Sequence, residues 1–151
     1  MHTTILMLHS WLRWVALVAG VAATIAALRD NTPPPAASRA DRWGLILMIS
    51  LDIQMLLGLV MYLTVTLPSI QGHMAEVMKN ADARFFAVEH ITMMMGAVII
   101  THVGRVLARK SASADAKRMK LFVCFGIATA LMFLAIPWPG MRAGRPLFRL
   151  P

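Results

Sequence analysis

Four long apolar segments restrict this chain to one class of fold. They cover residues 5–28, 43–67, 85–107 and 121–137. Each is close to the roughly 20 residues that an α-helix needs to cross the hydrocarbon core of a bilayer. Strands are disfavoured, because open sheets leave backbone groups unpaired in lipid and the alternating pattern of a strand is absent. The sequence therefore predicts an all-α integral membrane protein, with residues 1–151 forming a single membrane domain.

Composition and charge narrow the class of protein further. Hydrophobic residues make up 58% of the chain and charged residues 15%, whereas a soluble domain has about half and about a quarter. The net charge of +8 would suggest nucleic acid in a soluble protein. Here the basic residues cluster between the apolar segments, as is typical of topology signals that face anionic lipid. We therefore expect membrane lipid as a partner, and no nucleic acid.

Motifs of independent enzymes are absent from the sequence. Cys124 is the single cysteine and lies in an apolar segment, so it forms no disulfide framework or CxxC metal site, and we expect it to pack. A nucleotide-binding loop, a nucleophile–base motif and the CxxCH motif of c-type haem are also missing. These absences favour an electron-transfer or structural subunit over an independent enzyme.

The distribution of Lys and Arg predicts the orientation of the helices. The first and third connectors carry nine basic residues: Arg29, Arg39, Arg42, Arg105, Arg109, Lys110, Lys117, Arg118 and Lys120. The opposite side carries five: Lys79, Arg84, Arg142, Arg145 and Arg149. The positive-inside rule then predicts a four-helix up-down-up-down bundle with both termini on the outer side. The expected location is the bacterial inner (cytoplasmic) membrane, as a multi-pass protein.

The connectors and ends have distinct local patterns. Residues 33–35 are three prolines, which predict a stiff, extended linker. The longer connector, residues 68–84, includes HMAEVMKN, which predicts a short helix on the membrane surface. The tail after residue 136 is rich in Pro, Gly and Arg and is expected to be irregular.

Because Arg13 interrupts the first apolar segment and no basic region precedes it, we expect a retained span rather than a signal peptide.

Two histidines within the spans are the main functional candidates. His9 and His90 each lie about five residues into their span, so both are expected roughly 7 Å below the outer surface. On diagonal helices of a bundle, two imidazoles at one depth can ligate one haem iron from opposite faces of the porphyrin. The alternative is that each histidine bonds to a backbone carbonyl or lies among lipid headgroups. The sequence leaves both interpretations open.

Other ionisable residues in the spans also need partners, because charges in lipid are costly. Arg13 lies one turn from His9 on the same face, and helix geometry places Asp52 within its reach. We expect Arg13 and Asp52 to pair as a structural clamp, with a proton path as the alternative. Glu89 is expected to form an interfacial salt bridge with Arg84; the alternatives are a bond to a ligand or to a quinol headgroup.

His102 lies 12 residues after His90, about 120° around the helix and roughly 18 Å deeper. The first span offers no histidine at that level, so a second bis-histidine haem is disfavoured. We expect His102 to bond Asp52, Gln54 or Thr101, or to face the inner headgroups, and it is a weaker metal-ligand candidate than His9 and His90.

Arginines in the tail and the many methionines suggest two further kinds of site. Arg142 and Arg145 are expected on the outer side, where they would pair with haem propionates or with lipid phosphate. The chain has 13 methionines, and thioethers with histidine suit Cu(I). Residues 93–95 are three consecutive methionines that point in different directions, so core packing is favoured. His73, with Met74 and Met78, is a weak outer copper candidate.

Short motifs in all four spans carry a family resemblance. They are LHSWLRW around His9, LDIQMLLGLVMY in the second span, FFAVEHITMMM around His90, THVGR around His102, and IPWPGMRAGRPLF in the tail. With these motifs the chain resembles small four-helix bacterial membrane proteins labelled as cytochrome b. It is more distantly similar to the copper-resistance-D type of membrane domain. The resemblance implies a b-type haem and electron transfer, with His9 and His90 as ligands and His102 less directly involved.

The resulting hypothesis is one b-type haem near the outer face, which moves electrons between membrane quinol and an outer-side cytochrome. The chain leaves little mass outside the membrane, so we expect a subunit or accessory of a larger respiratory or photosynthetic redox complex. One alternative is a non-haem scaffold subunit of such a complex. The other is a copper-handling membrane protein.

Overall fold

The computed structural model describes residues 2–141 and 143–148, and the side chains of all of these except His2. Within these ranges the secondary structure is helical and no strand occurs. The α-helices are α1 (His2–Leu28), α2 (Arg39–Met61), α3 (Leu67–Ile70), α4 (Met74–Lys79), α5 (Ala81–Arg84), α6 (His90–Arg109) and α7 (Ala114–Ala135). Two π-helical segments, Tyr62–Thr66 and Phe85–Glu89, join α2 to α3 and α5 to α6 without a break.

Four continuous helical runs are long and apolar enough to cross a membrane: Thr3–Leu28, Arg39–Ile70, Ala81–Arg109 and Ala114–Ala135. The four predicted spans are thereby confirmed as helices, which supports a multi-pass membrane protein. The second, third and fourth spans begin several residues earlier than predicted, whereas the fourth ends at Ala135, two residues before its predicted end. The reason for the earlier starts is capping, which hydropathy does not report: Ser38 forms a capping box with Asp41, and Ser113 accepts a hydrogen bond from the Ala116 amide.

Two of the three predictions for the connectors and the tail are confirmed. The linker at residues 33–35 is not extended as predicted: it forms a turn in which the Ala36 amide donates to the Pro33 carbonyl oxygen over 3.1 Å. The turn is needed because Asp30 and Ser38, on either side of the prolines, are hydrogen-bonded to each other. The predicted short helix in the long connector is present as α4, Met74–Lys79. The tail from residue 136 onwards contains no helix in its described part, as expected from its Pro and Gly content.

The long helices pack in a ring in which α1 contacts α2 and α7, and α6 contacts α7 and α2. Small residues let the backbones approach closely, as is common between membrane helices. A Cβ atom at Gly20 would lie 2.6 Å from Thr129 Oγ1, so α1 and α7 meet there. A Cβ atom at Gly104 would clash with Cys124, which confirms a packing role for this cysteine.

The centre of the ring is lined by small and aliphatic side chains. Its buried members include Ala19 and Ala23 of α1, Leu47 and Leu51 of α2, and Phe125 of α7. The outward faces are apolar as well, which is expected where the surroundings are lipid rather than water.

A buried ionic cluster closes one end of the ring. Lys117 Nζ lies 2.7 Å from Asp41 Oδ2 and 3.8 Å from Asp30 Oδ2, and it donates to the Ala36 carbonyl. Only 2% of the Lys117 side chain is exposed. Arg105 Nη1 donates to the Asp41 carbonyl oxygen over 2.8 Å. These contacts fasten the proline-containing linker and the start of α2 to α6 and α7.

Candidate functional site

A cavity of about 450 Å³ lies between α1, α2, α6 and α7, at the end of the ring away from the Lys117 cluster. Most of its wall is apolar, with methionines from three helices. The polar and aromatic residues of the wall are His9, Ser10, Arg13, Gln54, Tyr62, Thr66, Ser69, Phe86, His90 and Arg145. Its volume falls within the range of roughly 300–1,000 Å³ that is usual for ligand and cofactor sites.

The two histidines predicted to meet do so in this cavity. Their ring centroids lie 6.2 Å apart, with an angle of 61° between the ring planes. His9 projects from α1, and His90 is the first residue of α6, so the two come from helices that do not adjoin in the ring. The short distance between the two rings confirms that His9 and His90 lie at a common level, as predicted.

The His90 ring is fixed by the end of α7. Its Nδ1 lies 2.8 Å from the carbonyl oxygen of Ala135. A carbonyl oxygen can only accept a hydrogen bond, so Nδ1 carries the proton and donates it. The lone pair of the ring is then on Nε2. Metal-bound histidines that donate to a backbone carbonyl have the same arrangement. A carbonyl bond is also what the non-haem alternative expected of these histidines, so this contact fits both hypotheses.

The His9 ring is held by close packing on α2. A Cβ atom at Gly58 would lie 3.3 Å from His9 Cε1, so the absence of a side chain at Gly58 makes room for the ring. Gln54 Nε2 donates to the His9 carbonyl oxygen over 2.9 Å. Among the described residues, His9 Nδ1 and Gln54 Oε1 are buried without a hydrogen-bond partner. Orphaned atoms of this kind usually have an unplaced water or ligand nearby.

The spacing of the two rings limits what they can bind. Metal–imidazole bonds are about 2.0–2.1 Å long, so two imidazoles on one metal have ring centroids on the order of 6 Å apart. The observed 6.2 Å is compatible with this value, and it also lies within the range of about 4.5–7 Å for ordinary contacts between aromatic rings. No group of three or more His, Cys, Asp or Glu residues suited to a metal ion occurs in the described part of the chain. Among the described residues, the site therefore offers two imidazoles and no third side chain of these four types beside them.

Both π-helical segments border the cavity. Tyr62 and Thr66 of the first segment and Phe86 of the second line its wall, and Tyr62 Oη donates to the Ala87 carbonyl oxygen over 3.3 Å. A π-helical turn inserts one residue into an α-helix and is frequent at functional sites. The sequence analysis missed these segments, because apolar periodicity does not distinguish a π-turn from an α-turn.

The tail covers the cavity and contributes a charge to it. Arg145 lines the wall, with its guanidinium carbon 5.0 Å from the centre of the Phe86 ring. The Leu147 carbonyl oxygen accepts hydrogen bonds from Arg13 Nη2 over 2.6 Å and from Trp14 Nε1 over 3.3 Å. Arg13 and Arg145 therefore both lie at the cavity. Arg142, the other predicted arginine, lies outside the described residues.

The expected pairing of Arg13 with Asp52 is wrong. Asp52 Oδ1 lies 2.9 Å from His102 Nε2, whereas Arg13 bonds the tail. Depth along the helices was compatible with both partners of Asp52, but depth does not specify which way a side chain points around its helix. Asp52 and His102 line no part of the cavity, and their bond was one of the predicted alternatives for His102.

The remaining candidates divide between the cavity and the surface. Gln54 is buried in the cavity wall and bonds His9 rather than His102. Glu89 forms the expected salt bridge with Arg84, with Nε and Oε1 2.7 Å apart, and does not line the cavity. His73 is exposed and lies 3.6 Å from Glu76.

The methionines of the copper alternative are dispersed. Met74 and Met78 are both nearly half exposed. Of the three consecutive methionines, Met94 lines the cavity while Met95 faces outwards. This divergence agrees with the expectation that the three side chains cannot meet at one ion.

No family model matches the chain, and no curated protein and no solved structure matches it either. The cavity with its paired histidines is therefore the main basis for a functional proposal. Its wall is largely apolar and combines two imidazoles with the guanidinium groups of Arg13 and Arg145.

Proposed function

We propose that the chain binds one b-type haem in the cavity, between His9 and His90, and acts in electron transfer. The observation that carries this proposal is the 6.2 Å separation of the two imidazole rings inside a cavity of cofactor size. A haem held by two histidines has no open coordination position and supplies one-electron transfer rather than substrate activation. Neutral imidazole is the ligating form, so an apolar environment does not penalise either residue.

The residues around the histidines have supporting roles. Ala135 orients His90 through its carbonyl oxygen, and Gly58 leaves the space in which the His9 ring packs. The apolar wall excludes water. The local dielectric constant is therefore low, which strengthens the electrostatic interactions of each nearby charge. Arg145 places a guanidinium at the edge of the cavity, where it can bind a propionate through charge-assisted hydrogen bonds. Arg13 holds the tail in place beside it.

The arrangement of the helices supports an up-down-up-down bundle as part of the proposal. Gln54, late in α2, bonds His9, early in α1, and the end of α7 bonds the start of α6. Both contacts support consecutive spans that run in opposite directions. With the basic connectors on the inner side, both termini and the cavity lie towards the outer face of a bacterial inner membrane. Membrane quinol would supply electrons, and an outer-side cytochrome would receive them.

The small mass outside the four helices supports a role as a subunit or accessory of a larger respiratory or photosynthetic redox complex. The second candidate is a non-haem scaffold subunit of such a complex. It is favoured by the His90–Ala135 contact, because that bond satisfies one histidine without any cofactor.

The test is an optical and pyridine-haemochrome spectrum of the chain purified in detergent from cells supplied with haem. We expect a Soret band with about one haem per chain, and loss of that band in His9→Ala and in His90→Ala. His73→Ala is the matched control, because His73 is exposed and does not line the cavity, and its spectrum should not change. Wild-type protein without a Soret band, or a band that persists in both cavity variants, would overturn the proposal. Copper analysis of the same sample separates the copper alternative.

A further inference from the structure

The bond between Asp52 and His102 lies on an outward face of the bundle, not in its centre. Their side chains are 41% and 45% exposed, respectively. Asp52 lies ten positions after Arg42, and His102 lies seven positions before Arg109. At 1.5 Å per residue these offsets are roughly 15 Å and roughly 10 Å along the helices. The pair is thus within the apolar part of the spans, where contact with lipid is costly for ionisable groups.

Exposed apolar residues flank the pair on both helices, and together with the pair they form what we call the α2–α6 face. Its residues are Leu45, Ile49, Asp52 and Leu56 of α2, and Met95, Ile99, His102 and Val106 of α6. The six apolar members are each between 42% and 64% exposed. On both helices the positions follow a spacing of four, three and four residues, which is the spacing of helix faces that pack against another helix.

Each member of the pair has hydrogen-bonding capacity left over. Asp52 uses Oδ1 and His102 uses Nε2 in their shared bond. Asp52 Oδ2 and His102 Nδ1 have no hydrogen-bond partner among the residues that the structure describes. With a proton on Nδ1 and another shared in the Oδ1–Nε2 bond, the face therefore presents one remaining acceptor and one remaining N–H donor beside each other.

We infer that the α2–α6 face binds a second copy of this chain. A two-fold axis through the face places His102 Nδ1 against the partner subunit's Asp52, and Asp52 Oδ2 against the partner subunit's His102. The result is a closed ring of two imidazole and two carboxyl groups, in which every ring nitrogen and every carboxyl oxygen has a hydrogen-bond partner. An isologous contact requires such self-complementarity, and the pair has it without any further residue. The apolar stripes on either side then pack helix against helix.

Cysteine cross-linking in native membranes and in vesicles of purified protein tests the geometry. The native thiol is removed with Cys124→Ala. Because the two-fold axis places α6 against α2 of the partner subunit, a chain carrying Ile99→Cys is co-expressed with a chain carrying Leu56→Cys. The control pair is Ile99→Cys with Val18→Cys, an apolar site on α1 that is 61% exposed. After mild oxidation we expect a disulfide-linked dimer from the first pair and at most a trace from the control pair. Equal cross-linking of the two pairs overturns the inference. So does a cross-link from Ile99→Cys only to a different protein, because another subunit then covers the face.

A second experiment tests the polar ring itself, by energy transfer between labelled chains in vesicles at a series of protein-to-lipid ratios. Asp52→Asn and His102→Gln should each raise the dimer dissociation constant roughly tenfold, because each variant weakens two symmetry-related bonds. The double variant Asp52→His with His102→Asp restores a pair of the same kind and should recover most of the affinity. Unchanged dimerisation in both single variants contradicts the inference. Helix content, measured by circular dichroism, identifies any variant that fails to fold.

Discussion

The Nδ1 atom of His90 lies 2.8 Å from the carbonyl oxygen of Ala135, the last residue of α7. This contact joins the start of one span to the end of the next and fixes a ring nitrogen of one proposed ligand. Because the carbonyl belongs to the main chain, its role is best tested by replacing the histidine.

Replacement of His90 by methionine should keep a haem in the cavity while changing its redox potential. A thioether can still ligate iron, but it cannot bond the Ala135 carbonyl. Histidine–methionine ligation raises the potential, and we expect a shift on the order of +0.1 V, a fraction of the range of about 0.8 V that axial ligands control. A redox titration of the Soret band measures it. A potential equal to that of the wild type would show that His90 is not a ligand.

A larger side chain at Gly58 should displace the His9 ring. The nearest atom to an added Cβ is His9 Cε1, at 3.3 Å, so Gly58→Val forces the ring to move. We expect a lower ratio of haem to protein and a destabilisation of about 1–3 kcal/mol, as is usual for overpacking. Gly96→Val is the control, because its closest neighbour is Leu131 at 3.4 Å rather than a cavity residue. Equal haem content in the two variants would contradict this prediction.

Loss of the Arg145 guanidinium should weaken haem binding without unfolding the bundle. A hydrogen bond to a charged group contributes about 1.5–3 kcal/mol, so we expect Arg145→Ala to release haem roughly 10–100 times faster. Haem transfer to an excess of apomyoglobin measures the rate. Arg118→Ala is the control, because Arg118 lies in the first turn and a half of α7, remote from the cavity. Should the two variants release haem at the same rate, Arg145 does not contact the ligand.

Removal of the Lys117 amino group should strongly destabilise the end of the bundle opposite the cavity. Lys117→Met leaves Asp30 and Asp41 without their buried cation, and breaking such a pair costs about 3–5 kcal/mol. Unfolding in a detergent titration measures this free energy. Lys110→Met serves as the control, because Lys110 is exposed.

The double variant Lys117→Met with Asp41→Asn restores the charge balance and should recover part of the loss. The Soret band of the folded fraction should be unchanged in all three variants, because the cluster lies outside the cavity. If Lys117→Met and Lys110→Met unfold alike, the cluster is not a stabilising element.

The apolar pattern was sufficient to predict the helices and the meeting of His9 with His90. Hydropathy sets which segments form spans, and a constant rise per residue converts sequence position into depth. The ends of the helices were predicted less well, because they depend on the caps Ser38 and Ser113 rather than on hydropathy.

The direction in which a side chain points around its helix, and hence its partner, could not be predicted from hydropathy and depth. Arg13 was expected to bond Asp52, but its side chain faces the tail, whose path has no periodic pattern. Lys117 and Arg105 were counted as basic residues of the connectors, yet both are buried among partners that are far away in sequence. Charge in a sequence indicates the need for a partner, but the fold determines which partner is found.

The position of the tail has a consequence for the order in which the protein matures. Phe148 stacks on Trp14 at a centroid distance of 5.4 Å, and Leu147 is bonded to α1, so the residues after α7 form the cover of the cavity. Ribosomes make these residues only after all four spans have been synthesised. Until then the paired imidazoles remain accessible from the side that the cover later occupies. Insertion of a bulky ligand is thus easiest in the interval between integration of α7 and docking of Phe148.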